Sequence, residues 1–147
     1  MDDKLTVASI YNRRTSESNV VSINISLSNK FKVNDYPFAL IIQSITENQT
    51  KLTIYPIKKE KIIKITLFGQ NVSDNTIEIL SEIIKNYEII HSSGLLITKM
   101  KFFYECYFNL TPTDNEYKDL KGSINKIRNI PLEVKIEEIS LKSVKRL

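Results

Sequence analysis

Apolar positions along the chain follow two different periods, and they separate most cleanly from Lys61 onward. Lys61 to Gly69 (KIIKITLFG) is a β-branched run closed by glycine, which predicts a strand. After it, Thr76, Leu80, Ile83, Ile84 and Tyr87 recur three and four apart, the spacing of one helical face. Asn75 and Glu78 have the form of a capping box that opens this helix. Two β-rich runs, Glu88 to Ile97 and Lys101 to Leu110, flank the short Thr98-Lys99-Met100 connection and predict a hairpin. A second helix is announced by Thr113-Asp114-Asn115-Glu116, a capping box directly after Pro112, and Tyr117, Leu120, Ile124 and Ile127 share one of its faces. Asn129 and Pro131 end it. Leu132, Val134 and Ile136 then alternate with Glu133, Lys135 and Glu137, a strand with one buried and one wet face.

The predicted order is strand, helix, strand, strand, helix, strand. Two split βαβ units of this kind make an antiparallel sheet with both helices on one face, so the expected class is α+β with a ferredoxin-like β-α-β-β-α-β sandwich over residues 61–147. Residues 1–60 read as a β-rich segment with one helix, packed on the rest. There, Val21, Ile23, Ile25 and Leu27 alternate with Ser22, Asn24, Ser26 and Ser28, a half-buried strand. Phe38, Ile41, Ile42 and Ile45 have helical spacing, with Asn34 or Asp35 as the cap and Pro37 in the first turn. Lys51 to Ile57 is again strand-like, so strand, helix, strand would make a degenerate half-repeat of the C-terminal unit. Lys58-Lys59-Glu60-Lys61 joins the two parts and reads as solvated surface, and Lys142 to Leu147 reads as a frayed basic tail.

Composition narrows the chemistry. The chain has 147 residues with 41% hydrophobic content, enough for a proper core without staples. It has one cysteine, Cys106, and one histidine, His91, which excludes an internal disulfide and the usual zinc spacings. Metal and cofactor sites are therefore not expected. Acids precede the first apolar residues, and no run of about 18 apolar residues follows. Neither export nor membrane spanning is expected, and the predicted location is cytoplasmic. The net charge of +4 comes from 21 basic and 17 acidic residues that interleave, so the balance does not by itself point to nucleic acid.

No catalytic constellation is visible. His91, Ser92 and Ser93 are neighbours on a strand, where adjacent side chains point to opposite faces, and no third orienting group is identifiable. Cys106 lies within an aromatic strand and reads as a small core hydrophobe. The chain is therefore not expected to be an enzyme.

The C-terminal part resembles an ACT domain, the amino-acid-sensing module of regulated enzymes and transcriptional regulators. The likeness is carried by Leu67-Phe68-Gly69 leading into a loop and helix, by Asn86-Tyr87-Glu88-Ile89-Ile90-His91-Ser92-Ser93 ahead of a hairpin, and by the strand from Leu132 to Ile139. Asn34-Asp35-Tyr36-Pro37-Phe38-Ala39-Leu40 is similar to the Asp-x-Pro-Gly-x-Leu loop of the same family, with Phe38 at the place of its glycine. The resemblance implies a homodimer that binds an amino acid at a helix start, where free backbone N–H groups attract a carboxylate. The residues it implies are Gly69, Gln70, Asn71 and Ser73, with Asp35 as an outlying contributor.

The main alternative is an RNA-recognition-motif-like domain, since the same order of elements with aromatics on the third strand describes that fold. Phe103, Tyr107 and Phe68 would then stack bases, aided by Arg13, Arg14 and C-terminal Lys and Arg residues. Against it, the Phe102-Phe103-Tyr104-Glu105-Cys106-Tyr107-Phe108 run lacks the glycines of that family, and Glu105 repels phosphate. A structural interaction module is the third reading. Alternation leaves Phe103, Glu105 and Tyr107 on a sheet face that must be covered by the N-terminal segment, a second subunit or RNA.

Overall fold

A computed structural model describes residues 25–93, 96–98, 101–127, 132–141 and 143–147. The chain groups into Met1–Phe31 and Lys32–Leu147. Of the first group only 25–31 are described, and they end in a turn in which the Phe31 N–H donates to the Ser28 carbonyl. The predicted strand from Val21 is absent at 25–28, and its other residues lie outside the described ones, as do Arg13 and Arg14.

Within Lys32–Leu147 the order is β1 (Phe38–Ile45), β2 (Thr50–Ile57), β3 (Ile62–Gln70), α1 (Asp74–Ile84), β4 (Ile89–Ser92), β5 (Leu96–Thr98), β6 (Lys101–Phe108), α2 (Asn115–Lys126), β7 (Leu132–Ser140) and β8 (Ser143–Arg146). The main sheet runs β4-β6-β3-β7-β8, with β5 also on β6, and every pairing is antiparallel. From β3 onward the predicted mixed α+β order is realised, and the antiparallel sheet has a generic ferredoxin-like topology.

One face of this sheet is the core. Ile63, Ile65 and Leu67 of β3 lie opposite Phe108, Cys106 and Tyr104 of β6, and Ile65 and Leu67 lie opposite Ile136 and Val134 of β7. Leu80 and Ile84 of α1 and Tyr117, Leu120 and Ile124 of α2 close over them in one buried cluster. The helix stripes were correctly placed by their three-and-four spacing. Their starts were not. Ser73, not Asn75, caps α1, its hydroxyl accepting from the Thr76 N–H at 3.3 Å. Asp114, not Thr113, occupies the cap of α2, and its carboxylate turns back to Thr111 instead of capping the helix.

The helix expected over Phe38–Ile45 is a strand. Phe38 pairs with Ile57 and Ile45 with Thr50, and the hairpin is closed by the Thr46 N–H donating to the Gln49 carbonyl at 2.9 Å. Three isoleucines in β1 favour extended backbone, and β2 lies one tight turn away, so ladder bonds outcompete an apolar spacing that fits either structure. A strand-helix-strand half-repeat therefore does not form in this stretch. The C-terminal tail is likewise ordered as β8, with Val144 opposite Ile139 and Arg146 opposite Glu137.

The hairpin seats on the sheet face turned away from the helices. Leu40 and Ile62 are 7% and 1% exposed, yet both lie outside the helix-side cluster. Ile62 alternates with Ile63 and so points to the opposite face of β3, which is open in a bare two-layer sandwich. Tyr55 of β2 reaches His91 of β4 across the same interface, its hydroxyl 2.8 Å from Nδ1. Lys59, expected to be solvated, instead fastens the link that follows β2. Its ammonium donates to the Asn109 carbonyl at 2.7 Å and to Asp114 Oδ2 at 3.0 Å.

Candidate functional site

The residues singled out from the ACT resemblance fall at the end of β3 and the start of α1. Gly69 is buried within the sheet between Phe102 and Leu132, and Gln70 is the exposed last residue of the strand. Asn71 turns the chain with a φ of 52°, a left-handed conformation that asparagine tolerates better than most residues. Ser73 spends its hydroxyl on the Thr76 N–H and lies 2.9 Å from the Thr76 hydroxyl. Asp74 adds a carboxylate to the first turn. Capping and this charge both reduce the pull of the helix start on a second carboxylate. Asp35 stands elsewhere, on the turn before β1, where its N–H donates to the Lys32 carbonyl.

A more developed site lies between the hairpin and the sheet. A groove of about 370 Å³ has Gln43, Ser44, Lys51 and Thr53 on its hairpin wall and Lys64, His91, Ser93, Glu105 and Tyr107 on its sheet wall. Strand alternation produces both walls. Lys64, Glu105 and Tyr107 occupy the β3 and β6 positions that skip the core, and Lys51 and Thr53 share the inward face of β2 with Tyr55.

Charge in the groove is organised around Lys64. Its ammonium lies 2.5 Å from Glu105 Oε1 and 5.4 Å from the centre of the Tyr107 ring. Burial works against the lysine's charge, but the bond to Glu105 and the neighbouring Tyr107 outweigh it, so its pKa is raised. Lys64 is thus charged at neutral pH. The Glu105 strand is held to β4 by reciprocal bonds: the Ser93 N–H donates to the Glu105 carbonyl and the Glu105 N–H to the Ser93 hydroxyl, each at 2.9 Å. His91 packs between Tyr55 and Tyr107, with ring centres 5.6 and 5.9 Å away.

A second groove, of about 420 Å³, is lined by Tyr36, Tyr55, Lys58, Glu88, Ile90 and Asn109 among others. There the Asn109 amide donates to Glu88 Oε2 at 2.9 Å, which fixes its orientation, and leaves its Oδ1 buried with no partner among the described residues. Two cavities on the helix side, of about 90 and 180 Å³, are lined almost wholly by apolar core residues.

Cys106 is buried in the core, as its place in an aromatic strand predicts, and the arrangement adds no support to the RNA-contacting set. Burial pushes the Cys106 thiol up to about 11, so it is protonated and inert at neutral pH. Tyr107, which would have to stack a base, lies beneath Lys64 and against His91. Phe68 is exposed, but Glu133 of β7 lies directly opposite it. Among the described residues no group of three metal-ligating side chains is gathered, and no helix is long and apolar enough to cross a membrane.

Lys51, Tyr55 and Lys64 went unnoticed in the sequence. Lys64 did carry a signal: a lysine at the centre of a β-branched run has to find a partner across the ladder, and the acid in the aromatic strand, Glu105, was the available one. Tyr55 and Lys51 carried none, because their position depends on how the hairpin folds back.

No family model matches this sequence, and no curated protein matches it. Among solved structures, the chain is similar to a formyltetrahydrofolate deformylase from Pseudomonas putida KT2440, with a TM-score of 0.41 and 9% identity over 51% of this chain. It spans 28% of that enzyme chain.

Proposed function

We propose that this chain is a non-catalytic, ACT-like regulatory module that binds a small polar ligand, an amino acid first among them, and works as a homodimer. The observation that carries the reading is the groove of about 370 Å³ under the hairpin, a size suited to a metabolite. Its Lys64–Glu105 ion pair offers both signs of charge to a zwitterion. In this reading the ligand lies away from the Gly69 to Ser73 loop, whose helix start already has a side-chain cap. The lone histidine is engaged by Tyr55 and the lone cysteine is buried, which favours binding over chemistry.

Self-association is supported by the outward face of the hairpin. Ala39, Ile41 and Ile45 and their partners Pro56, Ile54 and Thr50 include no charged residue, and Ile41 and Ile45 are 59% and 71% exposed. A ligand that ties the hairpin to the sheet would steady this face and so shift the dimer equilibrium.

The test is a thermal-shift screen of the purified protein against the twenty amino acids and a short RNA, with the mass in solution recorded alongside. A ligand at a hundred times its Kd should stabilise by about 2.7 kcal/mol, a rise of roughly 5 to 10 °C for a chain of this size. No shift with any amino acid, from a protein that is stably folded, would reject amino-acid sensing. A shift with RNA alone that fades steeply with salt would replace it by nucleic-acid binding.

A further inference from the structure

We propose that the ligand is anchored in the groove by an oxyanion, a carboxylate in the amino-acid case, received by Lys51 from the hairpin and by His91 beside Lys64 from the sheet. This rests on the reading of the groove as the ligand site and adds the chemistry that the site selects. Among the described residues the lysines lining it are Lys51 and Lys64, and the one acid, Glu105, is already bonded to Lys64 at 2.5 Å. That pair is close to neutral as a unit, so Lys51 leaves the groove with a net positive charge.

The histidine adds a donor. The Tyr55 hydroxyl lies 2.8 Å from His91 Nδ1; in the arrangement we propose the hydroxyl donates, which puts the ring N–H on Nε2, free to serve a ligand. Ser44 and Thr53 place hydroxyls on the same wall as Lys51, and the Gln43 amide is beside them. Donors and positive charge thus predominate, while Glu105 keeps lone pairs for a ligand amino group. A ligand with a carboxylate beside an amine suits this set. A neutral amide or a diamine would leave Lys51 uncompensated.

The anion also does mechanical work. The hairpin and the main sheet share no ladder, so they are joined through side chains. An oxyanion shared by Lys51 and His91 is a further link between the two sheets, and occupancy should therefore slow the opening of the hairpin.

The experiment is a nitrogen-edited NMR titration of the full chain with succinate, its neutral isostere succinamide, and inorganic phosphate, at ionic strength held constant with chloride. We expect succinate or phosphate to shift Lys51, Thr53, His91 and Tyr107 saturably, with the ring proton of His91 found on Nε2, and succinamide to cause no saturable shift. Lys51→Gln should weaken binding about tenfold, the scale of one charge-assisted hydrogen bond, and Lys51→Glu should abolish it, while Lys85→Gln, just past the end of α1, changes nothing. Tighter binding of phosphate or of succinate identifies which oxyanion the site prefers. Succinamide binding as well as succinate, with Lys51→Gln indifferent, overturns the oxyanion and leaves the groove as a site. Anion shifts spread over exposed lysines without saturation overturn it as well. If no probe, charged or neutral, moves the groove resonances, and the amino-acid screen also fails, the groove reading falls and this inference with it.

Discussion

The bond between Tyr55 and His91 is the most direct point at which the seating of the hairpin can be tested. Tyr55→Phe removes one hydroxyl and keeps the ring, so the 5.6 Å ring contact with His91 survives while the 2.8 Å bond to Nδ1 is lost. A neutral, part-buried bond of this kind is worth about 1 kcal/mol net, within a range of roughly 0.5 to 1.5. His91→Ala loses that bond together with the edge contact to Tyr107 at 5.9 Å, which adds about 0.5 to 1.5 kcal/mol more. The double variant should therefore cost about 1 kcal/mol less than the sum of the singles, because the shared bond is counted once. Urea unfolding at constant m value, followed by tyrosine fluorescence and by circular dichroism, measures each corner of the cycle. A coupling energy of zero within error would mean that the two residues do not meet in solution. The hairpin would then not be seated on the sheet, and the groove would have only one wall.

Other consequences are simpler to check. Leu120→Ala, at a position fully buried under the sheet, should destabilise by about 2 to 5 kcal/mol in the same unfolding assay. Ser73→Ala should cost about 1 kcal/mol through loss of the α1 cap, and Ser73→Asp should restore most of it, because either side chain can accept from the Thr76 N–H. Asp114 accepts from the Thr111 N–H, Lys59 and the Thr111 hydroxyl, in that order of weight, and they hold its carboxyl below the usual carboxylate range. A depressed carboxyl pKa stabilises above its unfolded value near 3.9 and loses this as pH falls through the folded value. The stability gap between the native chain and Asp114→Asn should thus be constant from about pH 5 to 7 and close below about pH 4, as followed by thermal melts across that range.

Much of the α+β sandwich was legible because its core face depends on period alone. Ile63, Ile65 and Leu67 alternate, Leu80 and Ile84 repeat at helical spacing, and all five are buried together. The helix starts were misplaced by a residue or two because Ser, Asp, Asn and Thr crowd each boundary, and several could cap. The hairpin was misread for a different reason. Leu40 and Ile42 face inward while Ile41 and Ile45 face outward, so apolar residues lie on both faces of β1 and the alternation that identifies a strand is hidden.

The groove was the least legible feature, since its walls come from strands far apart in sequence. Lys51 and Lys64 meet the same space only after β1 and β2 fold back over β3 and β6. The loop at Gly69 drew attention because a glycine followed by polar residues resembles a ligand loop. In the folded chain Ser73 caps α1 and Asn71 turns the backbone, uses that a sequence pattern does not separate from binding.

The decisive measurement is a residue-resolved NMR map of the native chain with the amino acid that raises its melting temperature most. Binding under the hairpin should move Lys51, Thr53, Lys64, His91, Glu105 and Tyr107 together and leave 69–76 unchanged. Shifts confined to 69–76, with the groove silent, would return the ligand to the start of α1 and refute the groove as the sensing site.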